Sequence, residues 1–198
     1  MSKIKPKKLI IGLVGEIASG KDTMAAYLKK KYGAEVVSFS KPLRDILDRM
    51  YLPQTRENMV WLGYDLRARF GQDILAKIIG KEILGKKSAK GGSASGGKMF
   101  VLPNVRLEGD ITYLKKIPGF YLVRIDADQK IRYERLKKRS QNADDKTKTW
   151  KQFLQDANLP TEKTIRGVAK KAKFRIDNNG SFGELYEQVE KLIKKIKK

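Results

Sequence analysis

A lysine behind a glycine-bounded loop carries the clearest chemistry in this sequence. Residues 11–23 read IGLVGEIASGKDT, so Gly15 and Gly20 enclose the segment EIAS and Lys21 follows directly. Glycines let successive backbone N–H groups turn toward a phosphate, and a helix N-terminus adds further N–H groups and a positive dipole end. Lys21 would reach the β- and γ-phosphates as a point charge. The residues predict a loop that binds a nucleoside triphosphate. The predicted ATP-binding residues of the loop are Gly15, Glu16, Ile17, Ala18, Ser19, Gly20, Lys21, Asp22 and Thr23.

One position departs from the pattern G-x-x-x-x-G-K-[ST]. Asp22 stands where a hydroxyl is expected, and Thr23 supplies a hydroxyl one residue later. A carboxylate beside phosphates is repelled unless it contacts a cation, and Mg²⁺ bound to ATP is held by oxygen ligands, directly or through water. We therefore expect Asp22 and Thr23 to lie near the metal of an ATP–Mg²⁺ complex.

A second group of cations lies in the segment DADQKIRYERLKKR, residues 126–139. It carries Arg132, Arg135 and Arg139 on one predicted helix, and the last two are four residues apart and share a face. Phosphoryl transfer needs positioning, exclusion of water and positive charge on the transferring oxygens more than it needs a side-chain nucleophile. An exposed basic helix has the same pattern, so both interpretations stay open here.

Strands that alternate with helices would position these groups. Strands are predicted at Lys8–Val14, Val36–Phe39, Met99–Leu102, Phe120–Ile125 and Lys173–Ile176. Helices are predicted from Lys21, from Pro42, from Thr55, through Ile74–Ile83, at about 109–117, 128–140, 147–157 and 161–171, and from Ser181. The alternation predicts an α/β fold with a five-stranded parallel sheet between two helical layers, the three-layer fold of P-loop NTPases. The glycine- and serine-rich residues 85–98 predict a flexible connection within one domain, 1–198.

Composition excludes several kinds of site. The 198 residues contain no cysteine and no histidine, which rules out disulfides, zinc sites of the Cys/His type and Ser-His or Cys-His nucleophiles. No apolar run is long enough to span a membrane, and the lack of cysteine fits a reducing cytoplasm. The net charge of +22 predicts attraction to polyanions, although a solvated, lysine-rich surface would produce the same number.

Several segments together resemble a known kinase family. The string GKDT is similar to that of phage-type deoxynucleoside monophosphate kinases, a branch of the P-loop kinases. The segments SFSKPLRDIL (38–47), RENMVWLGYDLRARFGQDILAK (56–77) and VLPNVRLEGDITYLK (101–115) resemble the parts of those kinases that form the monophosphate site. The segment AKFRIDNNGSFGELYEQVEKL (172–192) is similar to the end of dephospho-CoA kinases. The resemblance covers most of the chain and implies the nucleoside monophosphate kinase superfamily.

This resemblance implies a set of acceptor-binding residues. The phosphate of the acceptor would be held by Lys41, Arg44, Arg67 and Arg106, and its base would pack on Phe39, Trp61 or Tyr64. Guanidinium groups suit this role because they grip a phosphate at two points and keep their charge. Arg106 also follows a buried strand directly, at the edge where parallel sheets bind ligands. Arg67 and Arg69 could instead be solvated, or pair with Asp65 or Asp73.

The resemblance further implies a lid over residues 132–166 and an adenine-binding loop. In that family one lid arginine stacks near the adenine and another neutralises the transferring phosphate. Here the candidates are Arg135, Arg139 and Arg166. The loop that would border the adenine comprises Asn178, Asn179 and Gly180. Asn104 stands where the family usually has an aspartate, and it is a third candidate residue at the metal. Asparagine keeps the hydrogen bonding but loses the negative charge, which either shifts the support of Mg²⁺ to Asp22 or weakens catalysis.

The sequence therefore predicts a cytoplasmic, ATP- and Mg²⁺-dependent nucleotide kinase. A nucleoside or deoxynucleoside monophosphate is favoured as the acceptor, because the aspartate that dephospho-CoA kinases carry after the second strand is not evident at residues 38–41. Phosphorylation of a ribose hydroxyl, as in dephospho-CoA kinases, is one alternative. The other is a basic P-loop ATPase associated with nucleic acid, or a nucleotide-binding protein without catalysis. No membrane partner is expected.

Overall fold

A computed structural model describes residues 8–85, 98–139 and 146–197, except for the side chain of Arg139. Within these ranges five strands alternate with nine helices. The strands are β1 (Lys8–Val14), β2 (Glu35–Val36), β3 (Lys98–Leu102), β4 (Phe120–Asp126) and β5 (Phe174–Asp177). The helices are α1 (Lys21–Tyr32), α2 (Lys41–Arg49), α3 (Arg56–Phe70), α4 (Ile74–Gly85), α5 (Glu108–Leu114), α6 (Gln129–Arg139), α7 (Trp150–Asp156), α8 (Pro160–Ala169) and α9 (Phe182–Lys197). Most of the predicted connection at 85–98 and residues 140–145 of the predicted lid lie outside the described residues.

The sheet is parallel throughout and has the strand order β2-β3-β1-β4-β5. The central strand β1 pairs on one side with β3, where Ile11 faces Val101, and on the other with β4, where Ile11 faces Tyr121. The chain order therefore reverses on either side of β1, and a parallel sheet binds ligands beyond the carboxyl ends of its strands at such a point. The predicted three-layer α/β fold is confirmed.

Alternate residues of β1 enter two separate cores. Leu9, Ile11 and Leu13 pack with residues of α1 and α9, whereas Ile10 and Val14 pack with residues of α2, α3, α4, α5 and α8. This division follows from the period of two in a strand, because successive side chains point to opposite faces of the sheet. Both faces are covered, which is why β1 reads as one continuous apolar run.

Three helix ends lie where the sequence predicts them: the end of α1 and the starts of α3 and α9. Gly33 adopts the left-handed conformation and ends α1. Thr55 Oγ1 accepts a hydrogen bond from the backbone N–H of Asn58 at 3.2 Å and begins α3. Ser181 and Glu184 form the predicted capping box before α9, since each side chain accepts the other's backbone N–H.

The second strand is shorter than the sequence predicts. The ladder ends after Val37 N–H, which donates to Val101 O at 2.9 Å, and Ser40 N–H then turns back to Ser38 Oγ at 3.3 Å. This turn leads into α2 and carries Phe39 into the core. The predicted extension of the strand to residue 39 is therefore wrong. No helix in the described ranges has the length and apolar character needed to cross a bilayer.

Candidate active site

The glycine-bounded loop opens into a cleft of about 850 Å³ beyond the carboxyl ends of the strands. Residues from widely separated parts of the chain line it, because the loops after β1, β3 and β5 meet at this edge. The lining residues that bear charge or an amide are Lys21, Asp22, Arg56, Asn104, Arg106, Arg135, Lys148, Asp156, Glu162 and Asn178. Cations outnumber carboxylates in this set, so the cleft suits an anionic ligand.

Both loop glycines are required by close contacts. Gly20 has a φ of 101°, and a Cβ at this position would clash with the side-chain amide of Asn178. A Cβ at Gly15 would clash with the carbonyl oxygen of Ile125 in β4. Ala18 also has a positive φ of 59°, so the loop backbone turns sharply before α1. These conformations are the ones that expose N–H groups to a phosphate.

Lys21 lies over the loop that it is predicted to serve. Its Nζ donates to the carbonyl oxygens of Gly15 at 2.8 Å and Glu16 at 2.9 Å. Because the ammonium group rotates on a flexible stem, it can exchange these carbonyls for the oxygens of a phosphate bound in the loop. The first turn of α1 begins directly at Lys21, so a phosphate there also meets the positive end of the helix.

The side chain of Glu16 joins the loop to two arginines. Its Oε2 lies 3.3 Å from Arg132 Nη2, and its Oε1 accepts a hydrogen bond from Arg166 Nη1 at 2.8 Å. Arg132 is only 2% exposed and also donates to the carbonyl oxygens of Ala127 and Ile17. Arg166 donates in addition to the carbonyl oxygen of Ala157, directly after α7, at 2.7 Å. Glu16 therefore ties the loop to α6 and α8, and the predicted lid residue Arg166 meets the loop through this carboxylate.

Arg135 is the arginine of α6 that lines the cleft. Its Nη1 is buried and has no hydrogen-bond partner among the described residues. Burial lowers the pKa of the Arg135 guanidinium from its ordinary value, because a low-dielectric environment disfavours the charged form. An anion in the cleft would supply the missing partner. Arg139, predicted to act beside it, has a side chain outside the described set.

The three predicted metal-binding residues all line the cleft. Asp22 and Thr23 enter it from the first turn of α1, and Asn104 enters from the loop after β3. No cluster of three or more carboxylate, histidine or cysteine side chains suited to a metal occurs within the described part of the chain. Nucleotide-bound Mg²⁺ does not need one, since the phosphates and water supply most of its ligands. The residues present therefore fit Mg²⁺ carried by a nucleotide.

The loop predicted to border an adenine is tied to its neighbours. Asn178 is 4% exposed and donates from Nδ2 to Ser19 O at 2.8 Å, so β5 is linked to the phosphate loop. Asn179 Oδ1 accepts the backbone N–H of Asp128 at 2.7 Å, just before α6. Asn178 lines the cleft, whereas Asn179 and Gly180 are exposed beside it. The role of this loop toward adenine stays a prediction.

Among the predicted acceptor-binding residues, only Arg106 lines this cleft. Lys41 forms an ion pair with Asp45 one turn along α2, and Arg44 is exposed on the same helix. Residues Trp61 and Tyr64 are exposed on α3, and Phe39 belongs to a core. Their part in binding an acceptor is not decided by this geometry.

Arg67 forms an ion pair with the buried Asp110, and not with the partners that the sequence suggests. Its Nη2 lies 3.8 Å from Asp110 Oδ1 in α5, and its Nη1 donates to Gly63 O. The suggested pairing with Asp65 or Asp73 is therefore wrong. Burial raises the pKa of Asp110 from 3.8 to about 6, against the opposing effect of Arg67. Arg67 Nε and Asp110 Oδ1 are buried without hydrogen-bond partners among the described residues.

Comparison with known proteins places the chain in a family. The AAA domain family matches residues 14–151, a stretch that begins at the end of β1 and includes the phosphate loop. The chain belongs to the AAA domain family. The phosphate loop after its central strand, the parallel sheet and the flanking helices form the P-loop NTPase fold of the kinase-like type.

Individual relatives cover nearly the whole of this AAA domain protein. A UPF0200 protein of Pyrococcus horikoshii is 27% identical over 191 residues, which are 95% of this chain and 97% of the relative. A shikimate kinase from Bacteroides thetaiotaomicron superposes with a TM-score of 0.56 at 12% identity, covering 95% of this chain and 98% of its own. A gluconokinase from Sinorhizobium meliloti superposes with a TM-score of 0.52 at 11% identity, covering 98% and 95%. At sequence identities this low, the two superpositions establish a shared fold alone.

Several cleft residues of this AAA domain protein carry no prediction from the sequence, among them Arg56, Glu162 and Phe182. Each stands in the first turn of its helix, respectively α3, α8 and α9. Helices that follow parallel strands begin at the carboxyl edge of the sheet, so the first turn after β5 is the signal that would have found Phe182. Arg56 and Glu162 stand on helices that follow other helices, and this signal does not point to them. Phe182 is 66% exposed, unusually high for a large apolar side chain.

Proposed function

We propose that this protein is an ATP- and Mg²⁺-dependent kinase that transfers the γ-phosphoryl group to a nucleoside or deoxynucleoside monophosphate. The observation that carries the proposal is the meeting of Lys21, Arg106 and Arg135 in one cleft. These cations come from the start of α1, the loop after β3 and α6. Two anionic ligands placed end to end, a triphosphate and a monophosphate, need positive charge at three such points.

The triphosphate would occupy the loop from Gly15 to Thr23. Backbone N–H groups of the loop and of the first turn of α1 would bind its oxygens. Lys21 would leave the carbonyls of Gly15 and Glu16 for the β- and γ-phosphates. Asp22, Thr23 and Asn104 would hold Mg²⁺ carried by the nucleotide, and the ion would offset the negative charge of the phosphates.

Arg135 would act on the group in transfer. Its Nη1 has no hydrogen-bond partner among the described residues, and a phosphoryl oxygen would accept a hydrogen bond from it. Because the donor is buried, its attraction for charge that develops in the transition state is weakly screened. Arg166 would act with it by way of Glu16, which holds Arg166 against the loop.

The acceptor would bind by Arg106, with Arg56 as a second cation of the same cleft to hold its phosphate. Both side chains are exposed at the cleft wall, so each can grip a phosphate without first breaking a buried contact. A phosphate oxygen is already anionic and needs no general base before it attacks. The missing aspartate after β2 is therefore compatible with a monophosphate acceptor.

An acceptor panel tests the proposal. The full chain is incubated with ATP and Mg²⁺ and with each nucleoside or deoxynucleoside monophosphate, with dephospho-CoA, or with RNA, and ADP release is followed. Turnover that rises with one or more monophosphates supports the proposal. Stimulation by dephospho-CoA alone would establish phosphorylation of a hydroxyl instead. Stimulation by RNA alone would establish a nucleic-acid-dependent ATPase.

A further inference from the structure

Glu162 is a carboxylate that the proposed transfer reaction does not use. It lies in the first turn of α8, is half-buried, and lines the same cleft as the phosphate loop. Its Oε2 is buried and has no hydrogen-bond partner among the described residues. The neighbouring cleft carboxylate, Asp156, is by contrast paired with Lys148 at 2.6 Å. Buried polar atoms nearly always have partners, so the orphaned oxygen of Glu162 calls for an explanation.

The chemistry of this oxygen restricts what can bind to it. An ionised carboxylate accepts hydrogen bonds and repels phosphate, so its ligand must be a hydrogen-bond donor. In a cleft otherwise suited to phosphates, the donors that a bound nucleotide offers are its sugar hydroxyls and the amino groups of its base.

The packing of α8 relates Glu162 to the part of the cleft that Arg106 lines. Ile165 and Val168 of α8 belong to the same core as α2, α3, α4 and α5. Ile165 stands one turn after Glu162 and lines the same cleft, and it shares this core with Val105, the neighbour of Arg106. The part of α8 next to Glu162 therefore lies on the same face of the sheet as the predicted acceptor-phosphate site. In a nucleotide the sugar is directly attached to the phosphate, whereas the base lies farther away.

We propose that Glu162 accepts a hydrogen bond from a sugar hydroxyl of the acceptor nucleotide. The proposal rests on the proposed function and narrows it, since it makes Glu162 a specificity residue that favours ribonucleotides over their deoxy counterparts. A site that hydrogen-bonds a hydroxyl rejects the analogue that lacks it, because the carboxylate is then left buried and unpaired. Without a ligand, the same unpaired oxygen lowers the free energy of unfolding, as expected of a group that is retained for binding.

Equilibrium binding, measured by calorimetry without turnover, tests this role. The probes are nucleoside monophosphates with both sugar hydroxyls, their 2′-deoxy forms and their 3′-deoxy forms. We expect wild-type protein to bind the ribonucleotide roughly 10-fold or more tightly than one of the deoxy forms, as the loss of a hydrogen bond to a charged group predicts. The ratio should fall to about one in Glu162→Ala, because no carboxylate remains to make the distinction.

Matched variants isolate the effect. Glu187→Ala removes an exposed carboxylate of α9 that does not line this cleft, and it should keep the wild-type ratio. Glu162→Ala should have a thermal midpoint equal to or above that of wild type, because an unpartnered buried oxygen is removed. Equal affinities of wild type for ribo- and deoxynucleotides, or a ratio unchanged in Glu162→Ala, would overturn the proposal.

A second arm separates the acceptor from the donor. ATP, 2′-deoxy-ATP and 3′-deoxy-ATP are compared in the same way on wild type and Glu162→Ala. If the variant changes discrimination among the triphosphates and not among the monophosphates, Glu162 contacts the donor sugar and the acceptor assignment is wrong. Absence of ADP release with every monophosphate would count against the kinase function, whereas the binding ratios would still decide what Glu162 recognises.

Discussion

Glu16 Oε1 and Arg166 Nη1, 150 residues apart in the chain, meet at 2.8 Å beside the phosphate loop. The other oxygen of the same carboxylate faces Arg132, whose side chain is 2% exposed. One loop residue therefore contacts both helices on which the predicted lid arginines stand, α6 with Arg135 and Arg139 and α8 with Arg166. These contacts link the phosphate loop directly to α6 and α8, the helices of the predicted lid.

Replacing Glu16 should lower the free energy of unfolding more than replacing Arg166 does, because Glu16 also pairs with the buried Arg132. Glu16→Ala leaves Arg132 buried without its carboxylate, and we expect a loss of about 2–4 kcal/mol in the free energy of unfolding. Arg166→Ala should cost less than ~1 kcal/mol, because the Arg166 side chain is 38% exposed and solvent screens its ion pair. Urea denaturation measures both. Equal losses in the two variants would show that the buried arginine does not depend on Glu16.

Lys21→Ala should reduce kcat by roughly 100-fold or more while the chain stays folded, because a cation is removed from the transferring phosphate. Lys29→Ala is the matched control, an exposed lysine of the same helix outside the cleft, and should retain wild-type turnover. Steady-state ADP release measures the rates, and circular dichroism checks folding. Turnover retained by folded Lys21→Ala would refute the assignment of the phosphate loop.

Arg106 and Arg44 should differ in their effect on the acceptor, although the sequence pattern proposes both. Arg106→Ala should raise the KM for the acceptor by about 10- to 100-fold, since a charged hydrogen bond to phosphate is lost. Arg44→Ala should leave it near the wild-type value, because this side chain is exposed on α2 and does not line the cleft. The KM for ATP serves as an internal reference in both variants. A larger effect from Arg44 would move the acceptor site toward α2.

The buried Asp110 should make stability depend on pH between about 4 and 6. Its pKa is raised from 3.8 to about 6 in the folded protein, so over this window the folded chain holds a proton that the unfolded chain has released. The contribution of Asp110 to the free energy of unfolding is therefore largest at low pH and decreases as pH rises, by at most ~3 kcal/mol. Asp110→Asn should flatten this part of the pH profile. A slope that persists unchanged in the variant would assign it to other groups.

The phosphate loop and the helix ends were predictable because they depend on neighbours in sequence. Gly20 must take a conformation that side chains disfavour, and Thr55 caps a helix through a hydrogen bond three residues away. The five strands were predictable from apolar runs, but the end of the second was not. Its boundary depends on how Ser38 turns the chain and on the core that receives Phe39.

The sequence by itself thus determined the fold class and the glycine-bounded loop after the central strand. Only the tertiary structure decided that Arg67 pairs with Asp110, that Arg166 meets Glu16, and that the cleft takes in Arg106. The reason is physical. Local hydrogen bonds and apolar periodicity act within a few residues, whereas the partner of a long charged side chain is set by the packing of helices far apart in the chain.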